Sequence, residues 1–174
     1  MDKTPQEDWG GNEIQNKGKN MYEYNATLDR VVDGDTVDLN IDLGFDVWLQ
    51  GKRVRLNHVD TPEKRTRDLL EKHFGNLATK YIEDKLNNAE YITVETQLDG
   101  ELDKYGRILG SIYVDEETTS LNVQLIERRL AVMYEGQNKK DVEDEHINNM
   151  TFLVDNKHVV LPSDIRALYE ESKS

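Results

Sequence analysis

Cysteine is absent from the 174 residues, which excludes a disulfide framework, an iron–sulfur cluster, a thiol nucleophile and any zinc site built on thiolates. Long apolar runs are missing too. None approaches the ~18 residues a bilayer span requires, and residues 1–20 are polar, without the apolar stretch of a signal peptide. The expectation is a cytoplasmic protein without membrane contact. Positive charge is scarce: 22 Lys and Arg stand against 35 Asp and Glu, a net of -13. That balance argues against holding nucleic acid by bulk electrostatics, so any phosphate must be gripped locally. Residues 21–137 alone carry 14 basic and 23 acidic side chains, so no acidic tail accounts for the excess.

The length predicts one domain. Residues 1–20, with Trp9 as the only aromatic group, show no helical or strand period and are expected to form a flexible N-terminal extension. From Tyr22 to Leu43, Ala26 and Leu28 and then Val37, Leu39, Ile41 and Leu43 alternate with polar residues, which predicts a hairpin turning at Asp33-Gly34. A third strand is expected around Trp48 to Val59, with Val54 and Leu56 on one side and Arg53 and Arg55 on the other. After Pro62, the spacing of Leu69/Leu70, Phe74, Leu77/Ala78, Tyr81/Ile82 and Leu86 predicts an amphipathic helix. Ile92 and Val94, then Ile108, Ile112 and Val114, mark strands four and five, separated by a polar loop from Asp99 to Tyr105. Ser120 is placed to cap a second helix carrying Leu121, Leu125, Ile126 and Leu130 on its inner face. Val142, His146, Met150 and Leu153 suggest a third, and Ser163 a cap for a terminal one. The order β-β-β-α-β-β-α(-α) is that of an α+β fold, a five-stranded oligonucleotide-binding (OB-fold) barrel with helices.

Polar residues concentrate at strand ends. Asp35 and Asp60 each fall at such an end, and two carboxylates with a nearby backbone carbonyl suit a hard cation; calcium tolerates the irregular geometry better than magnesium. Turn chemistry for Asp33 and Asp35, and a cap before Pro62 for Asp60, explain the same residues without a metal. Arg55 and Arg107 lie within strand patterns. A guanidinium grips phosphate through a planar fork of donors, although each arginine has carboxylates enough nearby for an ordinary ion pair. Glu63, across the turn fixed by Pro62, is placed to orient or deprotonate a water, or equally to sit in a helix first turn.

Three strings, DGDTV from Asp33, VRLNHVDTPE from Val54 and DKYGR from Asp103, together resemble the staphylococcal (micrococcal) nuclease, or thermonuclease, family, in particular its compact bacteriophage-encoded members. The resemblance runs from about Tyr22 to Gly136. It implies a nuclease domain over 21–137, with 138–174 as a helical C-terminal extension. It further implies that Asp35, Asp60 and the Thr61 carbonyl hold Ca2+, with Asp33 nearby. Glu63 would activate the attacking water, Arg55 and Arg107 would bind the scissile phosphate, and Lys104, Tyr105 and Tyr134 would contact adjacent nucleotide. The implied activity is calcium-dependent phosphodiester hydrolysis of DNA, preferably single-stranded, and RNA, leaving 3′-phosphate ends; a monomer is expected, in the cytoplasm of a cell or, if phage-encoded, of its host. Asn57 and His58 depart from the apolar residues the family often places there. The acidity focuses binding on Lys52, Arg53, Arg55, Lys64, Arg65, Arg67, Lys104 and Arg107.

Other patterns are weaker. Asp38, Asn40 and Asp42 imitate the start of a helix-loop-helix calcium loop, but Leu43 and Leu49 stand where Gly and Glu are needed, so they read as the wet face of the second strand. The histidines at 58, 73, 146 and 158 lack metal spacing, and His146 reads as a packed or capping residue. The competing function is a non-catalytic barrel of the same architecture that captures nucleic acid or protein; a third is an assembly component.

Overall fold

A computed structural model describes residues 21–97 and 102–174; the expected extension over 1–20 and part of the loop from Asp99 lie outside the described residues. Strands β1 (Met21–Asp33), β2 (Thr36–Asp42) and β3 (Trp48–Leu56) form an antiparallel meander. Helix α1 (Leu69–Asn88) crosses over, so β3 can pair in parallel with β6 (Ile108–Val114), and β5 (Ile92–Gln97) joins β6 to the first half of β1. The thirteen-residue β1 shifts register at Leu28/Arg30 and Val31/Asp33. Such bulges bend a strand, letting one strand serve both β5 and β2. The result is a closed five-stranded barrel, as the alternating pattern predicts.

That alternation fills the barrel. Val37, Leu39, Ile41, Val54, Leu56, Val94, Ile112 and Val114 are all buried in one core. The paired apolar spacing of α1 serves two cores at once. Ala78, Ile82 and Leu86 plug the barrel, while Phe74, with Leu70 and Leu77, packs against helices α3 (Lys139–Asp155) and α4 (Ser163–Lys173). Asp68 caps α1 by accepting from the Leu70 and Glu71 N–H groups at 2.9 and 3.0 Å. Ser120 likewise caps α2 (Leu121–Glu127) through the Val123 N–H.

Four local expectations need correction. The third strand stops at Leu56, where a turn with His58 at φ 58° breaks it; a two-residue strand β4 (Val59–Asp60) resumes and pairs with β7 (Val132–Met133). Two residues are too few to show a period, so neither strand was visible in the sequence. Leu130 lies beyond the end of α2. At α4 the cap position belongs to Pro162, which offers no side-chain acceptor, and Ser163 is already helical. Asp38 is not on a wet face: it is buried beneath Arg30 and Arg53, which bond it at 2.7 and 2.9 Å.

Two residues fix the barrel end where the polar strings meet. Asn122, buried at the start of α2, accepts from the Ile112 N–H and donates to the Asn57 and Gly110 carbonyls at 2.9 and 3.1 Å, tying the turn after β3 to β6. Gly75 lets the backbone of Pro62 to Lys64 lie directly on α1, since a Cβ there would sit 2.6 Å from the Pro62 carbonyl oxygen. Glycine to alanine in a helix ordinarily stabilises by about 0.5–1 kcal/mol. Here Gly75→Ala is expected to destabilise by about 1–3 kcal/mol, because backbone must move to admit the methyl; denaturant unfolding that shows any gain in stability would refute this packing.

Candidate active site

The β1–β2 turn delivers the first carboxylate. Asp33 Oδ1 accepts the Asp35 N–H at 3.3 Å, and Gly34 fits because a Cβ there would meet Ala78 at 2.7 Å. Asp35 is thereby pressed into the barrel end, only 8% exposed. Its Oδ1 accepts the Thr36 hydroxyl at 3.0 Å, and its Oδ2 accepts the Thr61 N–H and hydroxyl at 3.0 and 3.1 Å. Arg55 Nη1 stands 3.2 Å from the same Oδ2.

Arg55 points out of β3 but turns inward. It donates to the Val59 and Leu56 carbonyls at 2.8 and 3.1 Å, and its Nη2 lies 3.3 Å from Asp60 Oδ1. One guanidinium therefore serves two carboxylates, with Asp33 close by. Burial pushes the Asp35 carboxyl up to about 6 from 3.8; Arg55 opposes the shift, Asp33 adds to it, and the Thr61 N–H opposes it. Asp35 is thus a carboxylate whose ionisation wants more positive charge than its surroundings hold.

The DKYGR string is a compact turn organised by Asp103. Its Oδ1 accepts the Tyr105 and Arg107 N–H groups, both at 2.9 Å, its Oδ2 accepts Arg107 Nε, and Gly106 adopts φ 75°. Burial raises the Asp103 carboxyl, but the bonds from Arg107 and Tyr105 outweigh it and hold it below the usual range. The Tyr105 ring carries Lys104 Nζ at 5.0 Å and the Arg107 guanidinium at 5.1 Å.

These groups meet around two adjoining cavities. One, of about 700 Å³, is lined by Arg55, Asp60, Lys104, Tyr105, Arg107 and Tyr134, together with Asn57 and His58. The other, of about 590 Å³, holds Asp60, Thr61, Glu63, Arg65, Tyr134 and His146. Asp60 and Tyr134 belong to both. Asp35 lines neither and lies beneath, reached through Thr61 and Arg55. Glu63, its Oε1 accepting the Arg65 N–H at 2.7 Å, lines the second cavity, whereas Arg107 lines the first. The β4–β7 pair brings Tyr134 here, its N–H donating to the His58 carbonyl at 2.9 Å. Of the wider basic group, Arg53 is engaged with Asp38.

Three contributors escaped the sequence reading. Asp103 had a local signal, an Asx-turn aspartate three residues before a glycine. Asn122 had none, because its partners are 10 to 65 residues distant. His146 packs, as expected of its helical face, but its Nε2 also lies 2.9 Å from Asp60 Oδ2, a contact spanning 86 residues.

The donor set around Asp35 and Asp60 is all oxygen, in excess negative charge, and includes a buried carboxylate that resists ionisation; this chemistry fits a hard cation. Among the described residues no three His, Asp or Glu side chains are arranged to close on a metal ion by themselves, so a backbone carbonyl and waters would complete the set. No helix among the described residues is long and apolar enough to cross a membrane.

The chain is similar to several known proteins. Over 117 residues the chain is 32% identical to Endonuclease YhcR of Bacillus subtilis (strain 168), covering 64% of this chain and 9% of that protein. It is 33% identical over 120 residues to Endonuclease YncB of the same organism, covering 66% of this chain and 52% of the relative. With the Thermonuclease of Staphylococcus intermedius it shares 35% identity over 103 residues, 59% of this chain and 55% of the relative. The match thus spans about half the length of two of these relatives and a small part of the third. The model of the family described as staphylococcal nuclease homologue matches residues 53–157, from within β3 to just past the end of α3, and on that match, with the closed barrel and its charged rim, the chain belongs to the staphylococcal nuclease homologue family.

Proposed function

We propose that this chain is a calcium-dependent nuclease that hydrolyses phosphodiester bonds of DNA, preferably single-stranded, and of RNA, leaving 3′-phosphate ends. The observation that carries the reading is the convergence of Asp35 and Asp60 on Arg55 beside a cavity that also holds Arg107, Lys104 and two tyrosines. The names of the relatives point the same way.

In this reading Asp35, Asp60 and the Thr61 carbonyl hold the cation. Bound there, calcium supplies the positive charge the two carboxylates lack and polarises a phosphate oxygen. Glu63 takes a proton from the water that attacks phosphorus. Arg55 and Arg107 donate to the non-bridging oxygens as negative charge gathers on them, and the attachment of Arg107 to Asp103 keeps its donors oriented beforehand. The new bond joins water oxygen to phosphorus; the bond to the 5′ oxygen breaks, and that oxygen leaves with a proton. Lys104 neutralises a neighbouring phosphate, while the Tyr105 and Tyr134 rings offer faces on which sugar or base can rest. Unpaired strands suit such a cleft because their bases are free to reach the rings.

Incubating the protein with single-stranded DNA in calcium, and separately in chelator, tests the assignment. Fragments ending in 3′-phosphate are expected only with calcium; binding without fragments would instead support a non-catalytic barrel. Arg107→Ala is expected to lower turnover about 10²–10³-fold, and Glu63→Gln about 10²–10⁴-fold. Full activity in both variants would remove the catalytic assignment.

A further prediction follows from Asp35. Its folded-state value of about 6 lies above the ordinary 3.8, so the folded protein binds more protons than the unfolded chain in that window. Its contribution to cation-free stability is therefore complete at acid pH and lost as pH rises through about 6. The thermal midpoint of the wild type minus that of Asp35→Asn, measured by calorimetry in chelator, is expected to fall between about pH 4 and pH 7. Added calcium should restore it at pH 7 in the wild type alone. A difference that does not change with pH would contradict the buried state of this carboxylate.

A further inference from the structure

Helix α3 carries a buried histidine that the proposed chemistry does not use. His146 shares one face with Val142, Met150 and Leu153, and the apolar three pack inward. At 8% exposure His146 is as buried as Val142, yet its Nε2 meets a carboxylate rather than a side chain of the core. Asp60 sits on a two-residue strand and its side chain is 32% exposed, so packing alone does little to choose its rotamer. Each of its oxygens is instead bonded to a different element. Oδ1 faces Arg55 Nη2 of β3 at 3.3 Å, and Oδ2 faces His146 Nε2 of α3 at 2.9 Å.

We propose that His146 is a positioning residue: by donating from Nε2 to Asp60 Oδ2, it holds the Asp60 carboxylate beside Asp35 in the orientation that receives the cation. An ionised carboxylate only accepts hydrogen bonds, so the proton of this contact belongs to the imidazole. A carboxylate fixed beforehand loses little freedom when it takes up a cation, and outer partners of this kind commonly change metal affinity 10- to 100-fold. The contact also gives α3 a function. A helix lying outside the barrel, packed on the outer face of α1 through Met150 and Leu153, reaches the centre of the site with one side chain. This inference rests on the reading that Asp60 is a cation ligand.

The test measures calcium binding to cation-free protein by calorimetry, without nucleic acid. His146→Leu keeps the volume and removes the donor; His146→Asn keeps polarity but its amide falls short; His146→Gln places an amide N–H near the position of Nε2. The expected result is a 10- to 100-fold weaker dissociation constant in the Leu and Asn variants and a value within about threefold of wild type in the Gln variant. If the Leu variant does not fold, the comparison of Asn with Gln carries the same contrast. Wild-type affinity in the Leu or Asn variant, or a Gln variant as weak as either, overturns the positioning role. Asp60→Asn is the accompanying control. Calcium bound as tightly by that variant as by wild type would overturn the cation site itself, whereas lost binding there with unchanged binding in the His146 variants would overturn only the inference drawn here.

Discussion

The Arg55 guanidinium between Asp35 and Asp60 is the interaction on which the site depends. It joins the β1–β2 turn, β3 and β4 at one end of the barrel, with distances of 3.2 and 3.3 Å to the two carboxylates. Taking such charges out of water is costly, and the cost is offset only where the remaining donors and acceptors are also satisfied. They are satisfied here: Arg55 donates to the Val59 and Leu56 carbonyls, and Asp35 accepts two bonds from Thr61. The balance is still negative. Two carboxylates face one guanidinium, and the buried one is pushed toward its protonated form. A site built this way is held in place by its internal bonds and is short of positive charge, which is what the proposed cation would supply.

The same local accounting reconciles an acidic chain with the polyanionic substrate of the proposed function. A net charge of -13 repels nucleic acid at a distance. At contact range the acidic excess disappears, because Arg55, Lys104 and Arg107 balance Asp60, Asp103 and Glu135 in the lining of the larger cavity, and Asp103 is spent on orienting Arg107. Elsewhere the basic residues are absorbed by the acidic excess, as Asp38 absorbs both Arg30 and Arg53. Under the proposed function binding energy is therefore confined to the cleft, and the proposed cation would add to it there.

The extent to which each element was legible follows from how far apart its determinants lie. The hairpin at Asp33-Gly34, the two-period of β2 and β6 and the capped start of α2 are written within a few residues, and the structure has them where the pattern predicts. The doubled apolar spacing of α1 was legible as a helix but not as a wedge between two cores, since its second partner begins some fifty residues later at α3. Short strands are a different case. β4 and β7 have only two residues each, yet they pair Asp60 with Val132 and carry Tyr134 to the cavities that Asp60 lines, and nothing periodic can announce a strand of that length.

The amino-acid order by itself determined a β-rich barrel bridged by a helix, and it marked Asp35, Arg55, Asp60, Glu63, Lys104, Tyr105, Arg107 and Tyr134 as residues in strand-end and turn strings, because period, turn chemistry and residue type are local properties. Only the tertiary structure decided that Arg55 faces both carboxylates, that Glu63 and Arg107 line different cavities sharing Asp60, and that His146 reaches Asp60 across 86 residues. Those relations arise from closure of the barrel and docking of α3 on α1. Both are driven by apolar burial, which fixes where backbones lie without being encoded beside the polar residues it brings together.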